Sequence, residues 1–314
     1  MTISDAQPHH PSFGAVARTP DDRFEGLPDW PYSPNYIDTL DGYEGLRLHY
    51  VDAGPKDAEV TFLCLHGQPS WSYLYRKMIP IFAGAGHRVI APDLFGFGRS
   101  DKPEDDAVYT YYFHRKALLA FVEAMDLNNV CLVVQDWGGL LGLTLPMERP
   151  SRYSRLVVMN TFLPVGEDAG PGFLAWRAYN RANPDLDISM LMKRGTPSLS
   201  DAEAGAYGAP FPREAFKAGV RRFPELVMVK GGSTEGIDTS FSAREFWSER
   251  WAGESFMAIG QQDPVIGEDS MRKLHGLIRH CPEPLILEEA GHFVQEWGDR
   301  VATAALDRFE LKSG

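Results

Sequence analysis

Three polar residues each stand just past an apolar run. Asp136 closes Cys131-Leu132-Val133-Val134-Gln135, Asp263 follows Phe256-Met257-Ala258-Ile259, and His292 follows Leu285-Ile286-Leu287. Short apolar runs of this kind read as buried strands, and open α/β sheets gather ligands at the carboxyl ends of their strands, so the three side chains are expected in one crevice. A nucleophile, an acid that orients, and a histidine that moves protons make up a complete hydrolytic set. Acids after strands also serve as turn formers and helix caps. For Asp136 the competing role is N-cap of the helix that starts at once. Gly138 and Gly139 favour a tight strand-to-helix turn with close backbone packing.

The chain order of nucleophile, acid and histidine is that of the α/β-hydrolase triad, but a carboxylate occupies the place of the usual serine. The elbow pattern also asks for a small residue two before the nucleophile, where Val134 stands; Gly138, two after it, fits. The carboxylate narrows the chemistry. A serine alkylated at a saturated carbon would become an ether that water does not readily cleave. An alkylated aspartate becomes an ester, whose carbonyl carbon can be hydrolysed to regenerate the acid. Asp136 thus points to substitution at saturated carbon, in an alkyl halide or an epoxide. His292 would activate water for the second step, with Asp263 orienting the ring. The tetrahedral intermediate needs backbone N–H donors, expected from Trp137 and from Gln68 in the turn His66-Gly67-Gln68-Pro69. A departing halide asks only for weak N–H donors, which the Trp137 indole can supply. An epoxide asks for a proton donor, and Tyr179 and Tyr207 are the tyrosines available to that reading.

The elements that must position these residues alternate. Apolar strands are expected at Leu46–Val51, Val60–Leu65, Val89–Ala91, Cys131–Val134 and Leu156–Asn160, with helical patterns between them, among them Tyr73 to Phe82 and Thr110 to Met125. Strands apolar on both faces and alternating with helices predict an α/β fold, with a mostly parallel sheet covered by helices on both sides. After Pro164 the rhythm breaks into short helical patterns rich in aromatics. The expected division is a core of residues 1–163 and 231–314 with an inserted helical cap over 164–230. Residues 1–30, interrupted by Pro20 and Pro28, read as a mobile lead-in, and Met1 to Pro20 does not read as a signal peptide.

With 31 basic and 43 acidic residues the net charge is −12, which disfavours nucleic acid and anionic lipid as partners. No apolar run approaches the roughly eighteen residues a membrane helix needs. Cys64, Cys131 and Cys281 lack metal-ligand spacing and suit buried reduced thiols, hence a cytoplasmic location. Gly96-Phe97-Gly98 is a turn without the rest of a nucleotide-binding fingerprint. His275 and His280 are spaced wrongly for one helix face, and Trp30, Trp71, Trp247, Trp251 and Trp297 default to packing.

Four blocks carry a resemblance: Val133-Val134-Gln135-Asp136-Trp137-Gly138-Gly139, His66-Gly67-Gln68-Pro69 with the run to Pro80, Ala91-Pro92-Asp93-Leu94-Phe95-Gly96-Phe97-Gly98-Arg99-Ser100-Asp101-Lys102-Pro103, and Gly291-His292-Phe293-Val294-Gln295-Glu296. Together they resemble the haloalkane dehalogenases from about Arg18 to Phe309. The resemblance implies an α/β-hydrolase fold with a helical cap. It implies Asp136 as nucleophile, Asp263 as acid, His292 as base, and oxyanion N–H groups at Gln68 and Trp137. Gly172-Phe173-Leu174-Ala175-Trp176 matches the family's cap block, which makes Trp176 the second halide donor beside Trp137, with Phe173 and Pro224 lining the substrate pocket. Leu140 stands where some members carry phenylalanine, and Gln68 where some carry glutamate. In another subfamily an asparagine at the place of Gln68 binds halide and the acid sits at the place of Asn160, so that arrangement is not expected. The implied reaction converts a small haloalkane and water to an alcohol and halide, without metal or organic cofactor, in a monomer. Epoxide hydrolase, fluoroacetate dehalogenase and a catalytically inactive receptor remain the alternatives.

Overall fold

The computed structural model describes residues 9–10 and 12–312. Eight strands form the main sheet: β1 (Asn35–Ile37), β2 (Leu48–Ala53), β3 (Thr61–Leu65), β4 (Arg88–Pro92), β5 (Val130–Val134), β6 (Tyr153–Met159), β7 (Glu254–Gly260) and β8 (Leu285–Leu287). Their spatial order is β8-β7-β6-β5-β3-β4-β2-β1. Pairing is parallel from β8 across to β4, while β2 runs antiparallel to both β4 and β1. Every residue of β3 and β5 is buried, as expected of a sheet covered on both faces. β3 sits between β5 and β4, so chain progress reverses direction there, and crevices open at such switch points.

The helices are α1 (Ile79–Gly84), α2 (Tyr111–Ala124), α3 (Trp137–Gly142), α4 (Pro171–Ala182), α5 (Ile188–Gly195), α6 (Asp201–Gly208), α7 (Ala218–Leu226), α8 (Ile237–Glu245), α9 (Glu268–Leu277) and α10 (Gly298–Arg308). Thr110 caps α2 by accepting from the N–H of Phe113 at 3.0 Å. Among the described residues no strand forms between β6 and β7; that stretch holds α4 to α8.

Two local expectations are corrected. The helical pattern from Tyr73 to Phe82 is two pieces, a 3-10 turn at Ser72–Tyr75 and α1, because Pro80 in the first turn of α1 starts a helix and cannot continue one. The lead-in is not loose as far as residue 30. Gly14–Ala17 pairs antiparallel with Lys102–Pro103, and Arg18 forks onto Asp101 through two bonds of 2.7 Å. Thr19 donates to Pro210 O at 2.8 Å, and Tyr73 donates to Pro28 O at 3.0 Å. These partners are remote in sequence, so local composition carries no sign of them. The earlier part of the expected lead-in, residues 1–8 and 11, lies outside the described residues.

A buried ionic group joins α6 to the segment that follows His292. Arg76 forks onto Glu296 with bonds of 2.7 and 2.7 Å, and also reaches Glu203 at 2.8 Å and the Tyr207 hydroxyl at 3.1 Å. The Tyr207 hydroxyl in turn donates to Glu296.

Candidate active site

The turn after β5 is built for a displayed side chain. Asp136 has φ 49° and ψ −125°, a conformation a non-glycine residue holds only when its surroundings impose it. Two glycines make the turn possible. A Cβ on Gly138 would come within 1.9 Å of Leu65 O, and one on Gly67 within 2.4 Å of Asp136 Oδ1. Val134, bulky where the elbow pattern prefers a small residue, is accommodated from the other side. A Cβ on Gly142 would meet Val134 Cγ1 at 2.8 Å, so the helix rather than the strand gives up its side chain.

Asp136 does not cap α3 with its side chain. Its Oδ1 accepts from the backbone N–H of Gln68 at 2.7 Å, while its Oδ2 lies 3.6 Å from His292 Nε2. The main chain of Asp136 is also pinned, its N–H to Asn160 O at 3.0 Å and its carbonyl by the Thr161 hydroxyl at 2.7 Å. His292 Nδ1 lies 2.7 Å from Asp263 Oδ2, so the loops after β5, β7 and β8 bring the three side chains into one line.

Asp263 is held by more than the histidine. Its Oδ1 accepts from the N–H groups of Val265 at 2.8 Å and Ile266 at 3.1 Å, and its Oδ2 accepts from Asn160 Nδ2 at 2.9 Å. Burial raises the cost of its charge, but His292, Asn160 and these N–H groups outweigh it and hold the carboxyl below its ordinary range. Burial likewise disfavours a charged His292, yet Asp263 and Asp136 on either side push its pKa up to about 10. With Asp136 free, the ring is a cation between two anions.

Asn160 and Gln135 are residues that sequence reasoning missed as part of this arrangement. In the sequence Asn160 stands out only as the place where another subfamily carries the acid. Its amide in fact spans the site: besides Asp263, Nδ2 donates to Gly260 O at 3.0 Å, and Oδ1 accepts from Gly260 N at 2.8 Å. The Gln135 amide nitrogen lies 3.0 Å from His292 Nε2 and donates to His292 O at 3.0 Å. The signal available for both was position, one residue past β6 and one before the elbow.

A cavity of about 630 Å³ opens over Asp136 and His292, lined by mostly apolar side chains. Gln68, Trp137, Leu140, Phe173, Trp176 and Pro224 all face it, while Asp263 stands behind His292. Trp137 is buried against Phe223, with ring centroids 4.5 Å apart, and Trp176 enters from α4. Other tryptophans spend their indole N–H on the fold: Trp71 on Ala206 O, Trp247 on Leu143 O and Trp251 on the Ser255 hydroxyl. Of the tyrosines an epoxide would need, Tyr207 is locked in the Arg76–Glu296 group, and only Tyr179 reaches the cavity wall.

The family model described as the alpha/beta hydrolase fold matches residues 60–299, which defines the class. Within that class, a haloalkane dehalogenase from Psychrobacter cryohalolentis is 44% identical over 295 residues, covering 91% of this chain and 95% of the relative. Haloalkane dehalogenase 1 from Mycobacterium tuberculosis is 44% identical over 292 residues, covering 90% and 94%. A solved structure, the tetrameric haloalkane dehalogenase DpaA from Paraglaciecola agarilytica NO2, superposes with TM-score 0.90 at 51% identity, over 93% of this chain and 98% of that one. The chain belongs to the haloalkane dehalogenase family.

Proposed function

We propose that this chain hydrolyses the carbon–halogen bond of small haloalkanes through an alkyl ester on Asp136. The observation that carries the reading is the division of labour on that carboxylate. Oδ1 is held by the Gln68 N–H at 2.7 Å, which leaves Oδ2, with only the longer 3.6 Å contact to His292 Nε2, to attack beneath a mostly apolar cavity. Oδ2 forms a bond to the halogen-bearing carbon as the carbon–halogen bond breaks, and the bonding pair leaves with the halide. The indole N–H groups of Trp137 and Trp176 receive that anion. Esterification removes the negative charge of Asp136, one of the two groups that raise the His292 pKa, so the ring is released toward its neutral form when a base is needed. His292 Nε2 then takes a proton from water, and the oxygen adds to the Asp136 carbonyl carbon. The oxyanion falls to the N–H groups of Gln68 and Trp137. Collapse breaks the bond to the alkoxide, which takes the proton back from His292 and leaves as alcohol. The carboxylic acid loses its proton to solvent, so the sum is haloalkane and water to alcohol, halide and a proton.

In this reading residues 164–230 act as the cap, supplying Trp176, Phe173 and Pro224, and residues 1–163 and 231–314 supply the triad. The triad and both indoles are supplied within this chain, so the reading needs no second copy to complete the site, and we read the acting unit as a monomer. The DpaA relative is described as tetrameric, and light scattering at micromolar concentration decides between the two. We read the location as cytoplasmic from cysteine usage: Cys64 and Cys131 lie buried within strands β3 and β5 as thiols.

Halide release from 1-bromobutane or 1,2-dibromoethane tests the activity, with Asp136→Ala as the control. His292→Ala is expected to stop after the first step and carry the alkyl group as added mass on the peptide containing Asp136. An unmodified His292→Ala protein after exposure to a reactive bromoalkane would rule out the covalent route.

A further inference from the structure

Helix α7 contains Pro224 in its interior. Proline has no N–H, so the carbonyl four residues earlier, that of Val220, loses its helical donor. That carbonyl is buried and not left bare: Gln68 Nε2 donates to Val220 O at 3.0 Å. The same residue donates its backbone N–H to Asp136 Oδ1 at 2.7 Å. Gln68 therefore touches the nucleophile with its main chain and the helix over the pocket with its side chain. That helix presents Pro224 to the cavity and packs Phe223 on the ring of Trp137, at 4.5 Å between centroids.

We propose that the Gln68 side chain is a positioning residue. Its amide takes the place of the N–H that Pro224 lacks, and so holds the oxyanion turn and the pocket helix α7 in one fixed relation. The inference rests on the reading of Gln68 as an oxyanion donor. Donation is the essential property. An ionised carboxylate at this position has only acceptors to offer an acceptor.

The test is a double-mutant cycle between Gln68 and Pro224. Alanine at 224 restores a backbone N–H, so α7 can supply its own donor to Val220 O and the Gln68 amide becomes redundant. Gln68→Met is expected to lower kcat about tenfold with KM changed less than about twofold, the scale of one buried hydrogen bond felt in the transition state. In the Pro224→Ala background the same substitution is expected to cost less than about twofold. Hydrogen exchange over residues 218–226 should rise in Gln68→Met and show no further rise in the double variant. Gln68→Glu should be impaired at neutral pH and recover relative to the unsubstituted protein as the pH falls through about 4.3, where the protonated acid can donate. A merely structural glutamine predicts no such recovery. Equal losses from Gln68→Met in both backgrounds, or unchanged exchange over 218–226, would overturn the proposal. Absence of Asp136-dependent halide release would instead defeat the functional reading, and the exchange measurement still decides whether the amide ties the helix.

Discussion

At the scale of single residues, the site depends on groups that touch no substrate. Asn160 is fully buried and links the acid, Asp263, to the backbone of β7 through Gly260. Removing its amide takes a donor from the charged form of Asp263 and leaves buried backbone groups unpaired, which weakens the support for an imidazolium at His292. In the proposed reaction ester hydrolysis is the step that passes through that imidazolium, and it should suffer most. In Asn160→Ala we expect hydrolysis about tenfold slower, while formation of the ester changes less, so that rapid-quench mass analysis finds the alkylated enzyme accumulating. A variant that loses alkylation and hydrolysis in equal measure would place Asn160 in general scaffolding instead.

At the scale of elements, the connection between α6 and the loop carrying His292 is ionic where it could have been apolar. Arg76 and Glu296 are both almost fully buried, and their bidentate pair is joined by Glu203 and Tyr207. Such a group adds little to stability as a whole, but removing one charge leaves the other stranded. Arg76→Ala should therefore lower the unfolding free energy by about 3 kcal/mol. This is the lower end of the range for breaking a buried pair, because Lys77 stays 3.0 Å from Glu296. Urea denaturation measures it. A loss below about 1 kcal/mol would put the group on a par with a surface ion pair.

At the scale of the whole molecule, titration of the site is linked to folding. The His292 pKa is raised from an unfolded value of about 6.5 to about 10, so the stability it contributes is fully present below the unfolded value and is lost as pH rises through the folded one. Lys102 moves the other way: burial pulls its pKa down to about 7, so its penalty is relieved over much of the same interval. The absolute melting temperature therefore mixes opposing trends. The difference between the unsubstituted protein and His292→Ala removes the shared lysine contribution. That difference should shrink between about pH 6.5 and about 10. A gap in Tm that is constant or widens across this window would mean that the histidine is not held as a cation in the folded state.

Much of this architecture is legible in the order of residue types. Apolar strands, glycines at the elbow, a carboxylate at its tip, and an acid and a histidine after later strands are local patterns, and local sterics and solvation are enough to read them. The aspartate alone limits the chemistry to saturated carbon, because only its ester can be cleaved to restore the acid. What the sequence could not disclose depends on distance across the fold. The anchoring of residues 14–30 and the placement of Asn160 behind Asp263 join residues far apart in the chain, and the exchange of Val134's bulk against Gly142 is decided only by how helix α3 packs on strand β5. The pairing of Gln68 with Val220 is of the same kind: the proline that frees the carbonyl is visible in the sequence, but the donor that answers it lies 152 residues away and is chosen only when helix α7 packs over the oxyanion turn.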